Sequence, residues 1–341
     1  MRHGKTRHVV VIHGDLNHPF PTYPNQDWQS NDNGVMERLH TALSEIEGYR
    51  FSFLSNHDTL LEDLQAVAKA IDIVLQLCDD GYRNDPNLAL HICALLDLLG
   101  LRYTGSGVKA MALTGDKQIQ LDIAHRNGIP VPESRLVQPW EPLPSDVQFP
   151  AFVKPSATDG SLGITRKSVV RSTEELAQAV HMIRQEFGLA CPILIQKFLP
   201  GRDIWVSILG NPPDDFIVLP ITEENYAALP QDYPNICGHE AKWDPTSPYW
   251  QLTTRLTTLS PAQQAFVVAC CKRLYTRLEI RDYARFDWRL DDNGAPCFLE
   301  ANANCAWCWD GHLAKTAALA GLSYSGLFAT ILDCAWRRYA I

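Results

Sequence analysis

The stretch from Ala284 to Asn302, ARFDWRLDDNGAPCFLEAN, restricts the fold of this chain more than any other. Asn-Gly between alternating apolar and polar residues signals a hairpin, because a two-residue type I′ turn needs positive φ at both central positions. A turn on Asn293-Gly294 pairs Asp292 with Ala295 and, further along, Asp287 with Glu300 and Arg285 with Asn302. Side chains alternate along a strand. One face of the expected hairpin therefore carries Phe286, Trp288, Leu290, Cys297, Leu299 and Ala301. The other carries Arg285, Asp287, Arg289, Phe298, Glu300 and Asn302. Two carboxylates and an amide thus converge beside an arginine. Hard Mg²⁺ takes oxygen ligands of this kind, typically one or two carboxylates completed by substrate phosphates. A half-buried hairpin with a wet polar face shows the same alternation. It leaves an acidic cross-strand pair without a counter-ion, however, which is unfavourable unless Arg285 supplies part of the charge.

Upstream, strands and helices alternate. HVVVIHGD and IDIVLQLC read as buried strands, FSFLSN as a third, and the segments around Val35–Ile46, Leu60–Ala70 and Asn87–Gly100 as helices. A parallel sheet covered by helices follows, a compact α/β first domain over residues 1–104. GSGVKAMALTGDKQIQLDIAHRNGIPVP reads as a glycine-rich turn and a helical segment stopped at Gly128, and the proline-rich stretch from Gln138 to Pro150 as a connector. FPAFVKP and CPILIQKFLPG are strands flanking a helix opened by the capping box Ser172-x-x-Glu175. This block, residues 105–199, reads as a small α+β domain, and residues 200–341 as a third.

With 341 residues, 46% of them hydrophobic, the chain has material for two or three domains. A net charge of -9 argues against a nucleic acid or a membrane surface as the main partner. No apolar run approaches the roughly 18 residues of a membrane span, and Val9 to Ile12 is a strand rather than a signal peptide. The ten cysteines lie mostly in apolar stretches and read as reduced thiols, so a cytoplasmic location is expected.

Lys154 ends the strand AFVK, where it can be held rigidly toward an anion, and ATDGSLGI follows it. There, glycines let backbone N–H groups wrap phosphate oxygens. Each signal alone is weak, since strand-end lysines are usually solvated. In series they are specific. GSGVKAMALTGDK, FVKPSATDGSLGI, ILIQKFLPGRD, HEAKW, ARFDWRL and FLEANAN occur in that order. The series resembles the ATP-grasp superfamily, and within it the D-alanine–D-alanine ligases, over nearly the whole chain.

The resemblance implies a three-domain ATP-grasp architecture of α/β and α+β parts, with ATP held between the second and third domains. It implies that Lys117 and Lys154 contact phosphates, that Gln196, Phe198 and Leu199 face adenine, and that Asp203 meets the ribose. Lys242 then meets the terminal phosphates, and Asp287, Glu300 and Asn302 hold two Mg²⁺ ions, for which Mn²⁺ can substitute. Arg285, with Gly160 and Ser161 of the glycine loop, serves catalysis. The implied reaction joins a carboxylate to an amine through an acyl phosphate and releases ADP. The resemblance also suggests a homodimer.

Where those ligases carry a Ser-and-Glu-containing glycine motif after the first strand, this chain has HGDLNHPFP. Cys78 stands at the place of their histidine, Gly160 at that of their loop serine, and Trp243 at that of a tyrosine. NCAWCWDGHL replaces their Ser-Pro-Gly segment. The nucleotide machinery matches and the amino-acid machinery does not, which points to another amino acid or a small carboxylated metabolite. A cell-wall D-alanine ligase with an altered pocket and a non-catalytic nucleotide-binding relative are the alternatives. Cys305-x-x-Cys308 has redox or zinc half-site spacing, but no second such pair exists to close a four-ligand site. The expectation is instead that this segment walls the acceptor pocket. Trp307 and Trp309 would pack the substrate, and Asp310 or His312 would hold an amine or carboxylate.

Overall fold

The computed structural model describes residues 6–15, 17–18, 34–156, 158 and 160–340, with Trp243 as backbone alone. The proline-rich part of the first loop, residues 19–33, lies outside them, as does the side chain of Trp243.

Strands β1 (Arg7–Ile12), β2 (Tyr49–Leu54) and β3 (Ile73–Gln76) form a parallel sheet in the order β2-β1-β3. Helices α1 (Val35–Ser44) and α2 (Leu60–Val67) make its crossovers, and α3 (Ala89–Leu98) follows β3. Val9 to Ile12 are continuously apolar because both sheet faces are covered. Val9 and Val11 pack toward Leu327, Phe328 and Ile331, while Val10 and Ile12 meet Leu60, Leu64 and Ile92. Gly100, at φ 64°, ends α3 as expected. Its N–H reaches Asp97 O and the next N–H reaches Leu96 O, the two bonds of a Schellman motif.

The segment read as one helix after Gly105 is two, α4 (Val108–Thr114) and α5 (Lys117–Arg126). Asp116 between them caps α5 by accepting the Ile119 N–H at 3.0 Å, which places Lys117 in the first turn.

Strands β4 (Ser134–Val137), β5 (Ala151–Pro155), β6 (Val169–Val170) and β7 (Ile193–Lys197) form an antiparallel sheet in the order β4-β7-β5-β6, with α6 (Thr173–Phe187) on one face. The box opening α6 is one residue wider than read. Ser172 accepts the Glu175 N–H at 3.3 Å, but Glu175 answers the Arg171 N–H at 2.7 Å. Ala151, Val153, Ile193 and Ile195 meet α6. By alternation, Phe152, Lys154 and Gln196 face the other way.

The third sheet holds β8 (Asp203–Asn211), β9 (Asp215–Val218), β10 (Thr222–Asn225), β11 (Thr253–Leu256), β12 (Asp282–Leu290) and β13 (Pro296–Asn302). Its order is β11-β10-β8-β12-β13, with β9 also on β8. Helices α7 (Glu240–Trp243), α8 (Pro261–Arg277), α9 (His312–Leu319) and α10 (Tyr324–Arg338) complete the chain. Ile204, Val206, Phe286, Trp288 and Ala301 form the apolar face, packed with Leu274 of α8, Ala110 of α4 and Leu121 of α5. The opposite face bears Asp203, Trp205, Arg285, Asp287 and Glu300. No single helix among the described residues is long and apolar enough to cross a membrane.

The hairpin reaches its expected register by an unexpected route. Only Gly294 of the Asn293-Gly294 pair has positive φ, so the turn is not type I′. Gly294 N–H bonds Asp291 O at 3.1 Å and Asp291 N–H bonds Ala295 O at 2.9 Å, a three-residue loop closed by Asp291 and Ala295. The Asp291 carboxylate stabilises it by accepting the Asn293 and Ala295 N–H groups at 2.9 and 2.8 Å. This shifts the first pairs by one residue, Trp288 to Phe298 and Arg289 to Cys297. A bulge at Leu299 then absorbs the shift, and Asp287 pairs Glu300 and Arg285 pairs Asn302. Three residues therefore change sides relative to the expectation. Phe298 joins Trp288 in the core, edge-on at 5.6 Å between ring centroids. Cys297 follows Arg289, and Leu299 turns into the cleft.

Candidate active site

The polar face of the third sheet and the outer face of the second form the two jaws of a cleft. The second sheet supplies Lys154, helices α5 and α7 supply Lys117 and Lys242, and the third sheet supplies the carboxylates together with Arg285.

Lys154 stands on β5 with 4% of its surface exposed. Burial lowers its pKa to about 8, against the pull of Glu300 and with the help of Lys117. Lys117 Nζ donates to Thr158 O and lies 3.7 Å from Glu300 Oε2. Burial alone would raise the Glu300 carboxyl. Lys117, Lys154, Arg285 and Lys242 overcome it and hold the group down to about 2. Asp287 behaves oppositely: burial and Glu300 push it up, although Arg285 grips both its oxygens at 2.7 and 2.8 Å. The two carboxylates thus answer burial differently: four cations offset it at Glu300, whereas at Asp287 burial outweighs Arg285.

Asp287, Glu300 and Asn302 present oxygen donors on one face of the hairpin, and Asn302 Nδ2 has no partner among the described residues. No group of three His, Cys, Asp or Glu side chains among the described residues forms a closed metal cage. Two carboxylates and an amide that await further oxygens suit Mg²⁺, which usually shares its shell with substrate phosphates.

At the other end, Phe152, Gln196, Phe198, Leu199 and Leu299 line an apolar slot. Gln196 is 3% exposed, and its Nε2 has no partner among the described residues. Asp203 is engaged: both oxygens take Arg289 Nη1, at 2.7 and 2.8 Å, and Oδ2 also takes the Tyr226 hydroxyl. In the glycine loop, Gly160 and Ser161 have φ of 64° and 65°, and the Ser161 hydroxyl donates to Cys237 O at 3.3 Å. Non-glycine residues in that conformation carry strain and concentrate at functional sites.

The cleft thus gathers Lys154, Gly160, Ser161, Gln196, Phe198, Leu199, Asp203, Lys242, Arg285, Asp287, Glu300 and His312. Lys117 and Asn302 stand beside them through Glu300 and the hairpin register. The expected acceptor wall does not gather there. Trp307 is 3% exposed, and its indole N–H donates to Leu77 O at 2.6 Å and Asp79 Oδ1 at 3.0 Å. It packs in the core between the first sheet and the C-terminal helices rather than on an open surface. Trp309 is half-exposed under Arg38, 4.3 Å from its ring, and Asp310 is exposed. Of the four residues, only His312 lines the cleft, stacked on Trp205 at 4.0 Å. Cys305 and Cys308 are free thiols, with Cys305 pushed up to about 12 by burial.

Sequence reading assigned no role to Trp205, which also lines the cleft. The signal was present in part, since Asp203, Trp205 and Ser207 alternate along β8 with apolar residues between them.

The depressed Lys154 pKa carries a testable consequence. Its charge is complete below pH about 8 and is lost above, so ATP affinity that depends on it falls as pH rises. The KM for ATP is expected to climb above pH about 8, approaching tenfold per unit. A KM that stays flat to about pH 10 would remove Lys154 from the phosphate contacts.

A buried lysine on one sheet facing paired carboxylates on another across a single cleft is the arrangement of an ATP-grasp ligase. Residues 130–333 match the family model described as D-ala D-ala ligase C-terminus. The chain belongs to the D-alanine–D-alanine ligase family, the ADP-forming ligases of that class. It is 32% identical to an uncharacterised protein, y4sG, of Sinorhizobium fredii over 94% of this chain and 92% of that one. A D-alanine–D-alanine ligase of Desulfotalea psychrophila is 28% identical over 81% of each chain. The same fold occurs in the Bacillus anthracis D-alanine–D-alanine ligase complexed with ATP. That likeness has a TM-score of 0.73 at 22% identity and covers 97% of this chain and 98% of that one.

Proposed function

We propose that this ligase phosphorylates the carboxylate of an amino acid or small carboxylated metabolite and joins it to an amine. The observation that carries the reading is the opposition of Lys117 and Lys154 to the Asp287–Glu300 pair across the cleft. A substrate carboxylate oxygen attacks the γ-phosphorus, and the bond to the ADP oxygen breaks. The amine nitrogen then attacks the acyl carbon, and phosphate leaves with the electron pair of the C–O bond. An amine bound as ammonium gives up one proton before the attack and a second as the amide forms, both to phosphate or solvent. Lys117, Lys154 and Lys242 offset charge on the phosphate oxygens, and Arg285 faces the charge that develops on the acyl oxygen. Mg²⁺ held by Asp287, Glu300 and Asn302 would supply further neutralisation of the triphosphate. The glycine loop carrying Gly160 and Ser161 would exclude water from the acyl phosphate.

A substrate pair other than two D-alanines is favoured by the first domain. Cys78 is buried, and its thiol is committed to Gly81 O at 3.1 Å. Burial also pushes that thiol well above its ordinary pKa. It therefore offers a substrate neither charge nor a free donor. The test is ADP release and product mass across a panel of amino acids, singly and in pairs, with ATP and Mg²⁺. ADP and phosphate should appear in equal amounts with an amide product. Stoichiometric AMP and pyrophosphate would overturn the acyl-phosphate route.

A further inference from the structure

Around Trp205, the polar face of the third sheet holds four buried polar atoms that no described residue partners. They are Glu224 Oε1 and Thr222 Oγ1 on β10, Ser207 Oγ on β8 and His312 Nδ1 at the start of α9. Thr222 is the cross-strand neighbour of Trp205, and Glu224, two residues on, shares its face. Ser207 and Thr222 are wholly buried, and Glu224 is 4% exposed. Leaving a buried polar group unpaired costs about 1–3 kcal/mol, and more when it is charged. Four such atoms around one ring mark a place built for a polar ligand.

Asp203 and Lys242, assigned above to ATP, border this place, but neither hydrogen-bonds any of the four atoms. A carboxylate here repels a phosphate. The cleft already supplies lysines for phosphates, while the free atoms offer acceptors. An ammonium group is the complement, because it carries three donors and no acceptor.

We propose that Glu224 and Thr222 form the subsite for the ammonium group of the amine substrate, with Trp205 and His312 as its wall. This rests on the ligase reading and names what that reading leaves open. His312 suits the wall, because burial, then Arg285 and Lys242, keep its ring neutral and therefore not repulsive to a cation. Asp203 on β8, Lys242 on α7, Lys315 on α9 and the Cys237 thiol also face Glu224. Burial and then Asp203 push its carboxyl up to about 7, against the Asn225 N–H, Lys315 and Lys242. Ammonium binding needs the ionised form. Amine affinity should therefore be weak below that pH and strengthen as pH rises through it.

The experiment compares the wild type with Glu224→Gln and Thr222→Val. ADP release is followed with ATP, Mg²⁺ and the twenty common amino acids, D-alanine and D-serine, singly and in pairs. KM values are measured for the best amine and for ATP between pH 6 and pH 8. Glu224→Gln should raise the amine KM about 10- to 100-fold, as for a lost hydrogen bond to a charged group, with ATP KM changed less than about twofold. Its amine KM should also lose the fall with rising pH that the wild type shows. Thr222→Val, nearly isosteric, should raise the amine KM by a smaller factor. A rise confined to ATP KM would make Glu224 a ribose contact and overturn the proposal, as would unchanged kinetics in both variants. A wild type inert to the whole panel would overturn an amino acid as the amine substrate, and this subsite with it, an outcome distinct from silent variants of an active enzyme.

Discussion

Asp287→Asn and Glu300→Gln are each expected to lower kcat by about 10²–10³, the usual effect of removing one preorganised group that stabilises transition-state charge. Both changes keep side-chain shape and leave the apolar face of the hairpin, with Phe286, Trp288 and Ala301, untouched. Asparagine still offers Arg285 one acceptor, and either amide relieves the acid–acid repulsion across the pair. The melting temperature should therefore move by no more than a few degrees while turnover collapses. Steady-state rates over a Mg²⁺ titration check this, and the variants should need more Mg²⁺ for half-maximal rate. Near-normal activity of Asp287→Asn at limiting Mg²⁺ would end the metal assignment.

Trp307→Ala should act on the fold instead. The side chain is 3% exposed and packed with Leu77, Leu313 and Leu327, so truncation opens a cavity costing about 3–5 kcal/mol. It also removes the indole N–H bonds to Leu77 O and Asp79 Oδ1, although Leu77 O keeps the Asp79 N–H at 3.0 Å. Denaturant unfolding should show the loss, whereas the KM for the amine should stay within about twofold. Trp307→Phe separates the two parts, retaining most of the packing and losing only the hydrogen bond. A large rise in amine KM at unchanged stability would return Trp307 to the pocket wall.

Much of the site was legible because strand alternation and order along the chain are local properties. Asp287, Glu300 and Asn302 were brought together from a turn signal and a period of two, and Lys154 from the end of an apolar strand. The turn itself was misread, and the result survived because the bulge at Leu299 absorbs the one-residue shift of the three-residue loop. Nothing in the sequence announces that bulge. It follows from fitting Phe298 against Trp288 in the core while Leu299 closes the nucleotide slot.

The amino-acid side of the site was poorly legible for a different reason. Trp307 follows the carboxylate-bearing hairpin directly, and its place in the chain points to the pocket. Its destination is set by Leu77 and Asp79, more than 200 residues away. Glu224 and Thr222 lie on the short strand TEEN, which has no apolar alternation to show which side faces the cleft. Their facing is decided by pairing with Ile204 and Trp205 of β8.

By itself, then, the sequence determined the parallel first sheet, the order of lysine-bearing and carboxylate-bearing strands, and the pairing of Asp287 with Glu300 and of Arg285 with Asn302. Each of these follows from periodicity and turn chemistry within a few residues. Tertiary structure alone decided that Trp307 is core while Trp205 lines the cleft, that Asp203 is clamped by Arg289 and Tyr226, and that Glu224 is buried with a free oxygen. Those outcomes depend on packing between segments far apart in the chain, where burial and charge are properties of the assembled neighbourhood.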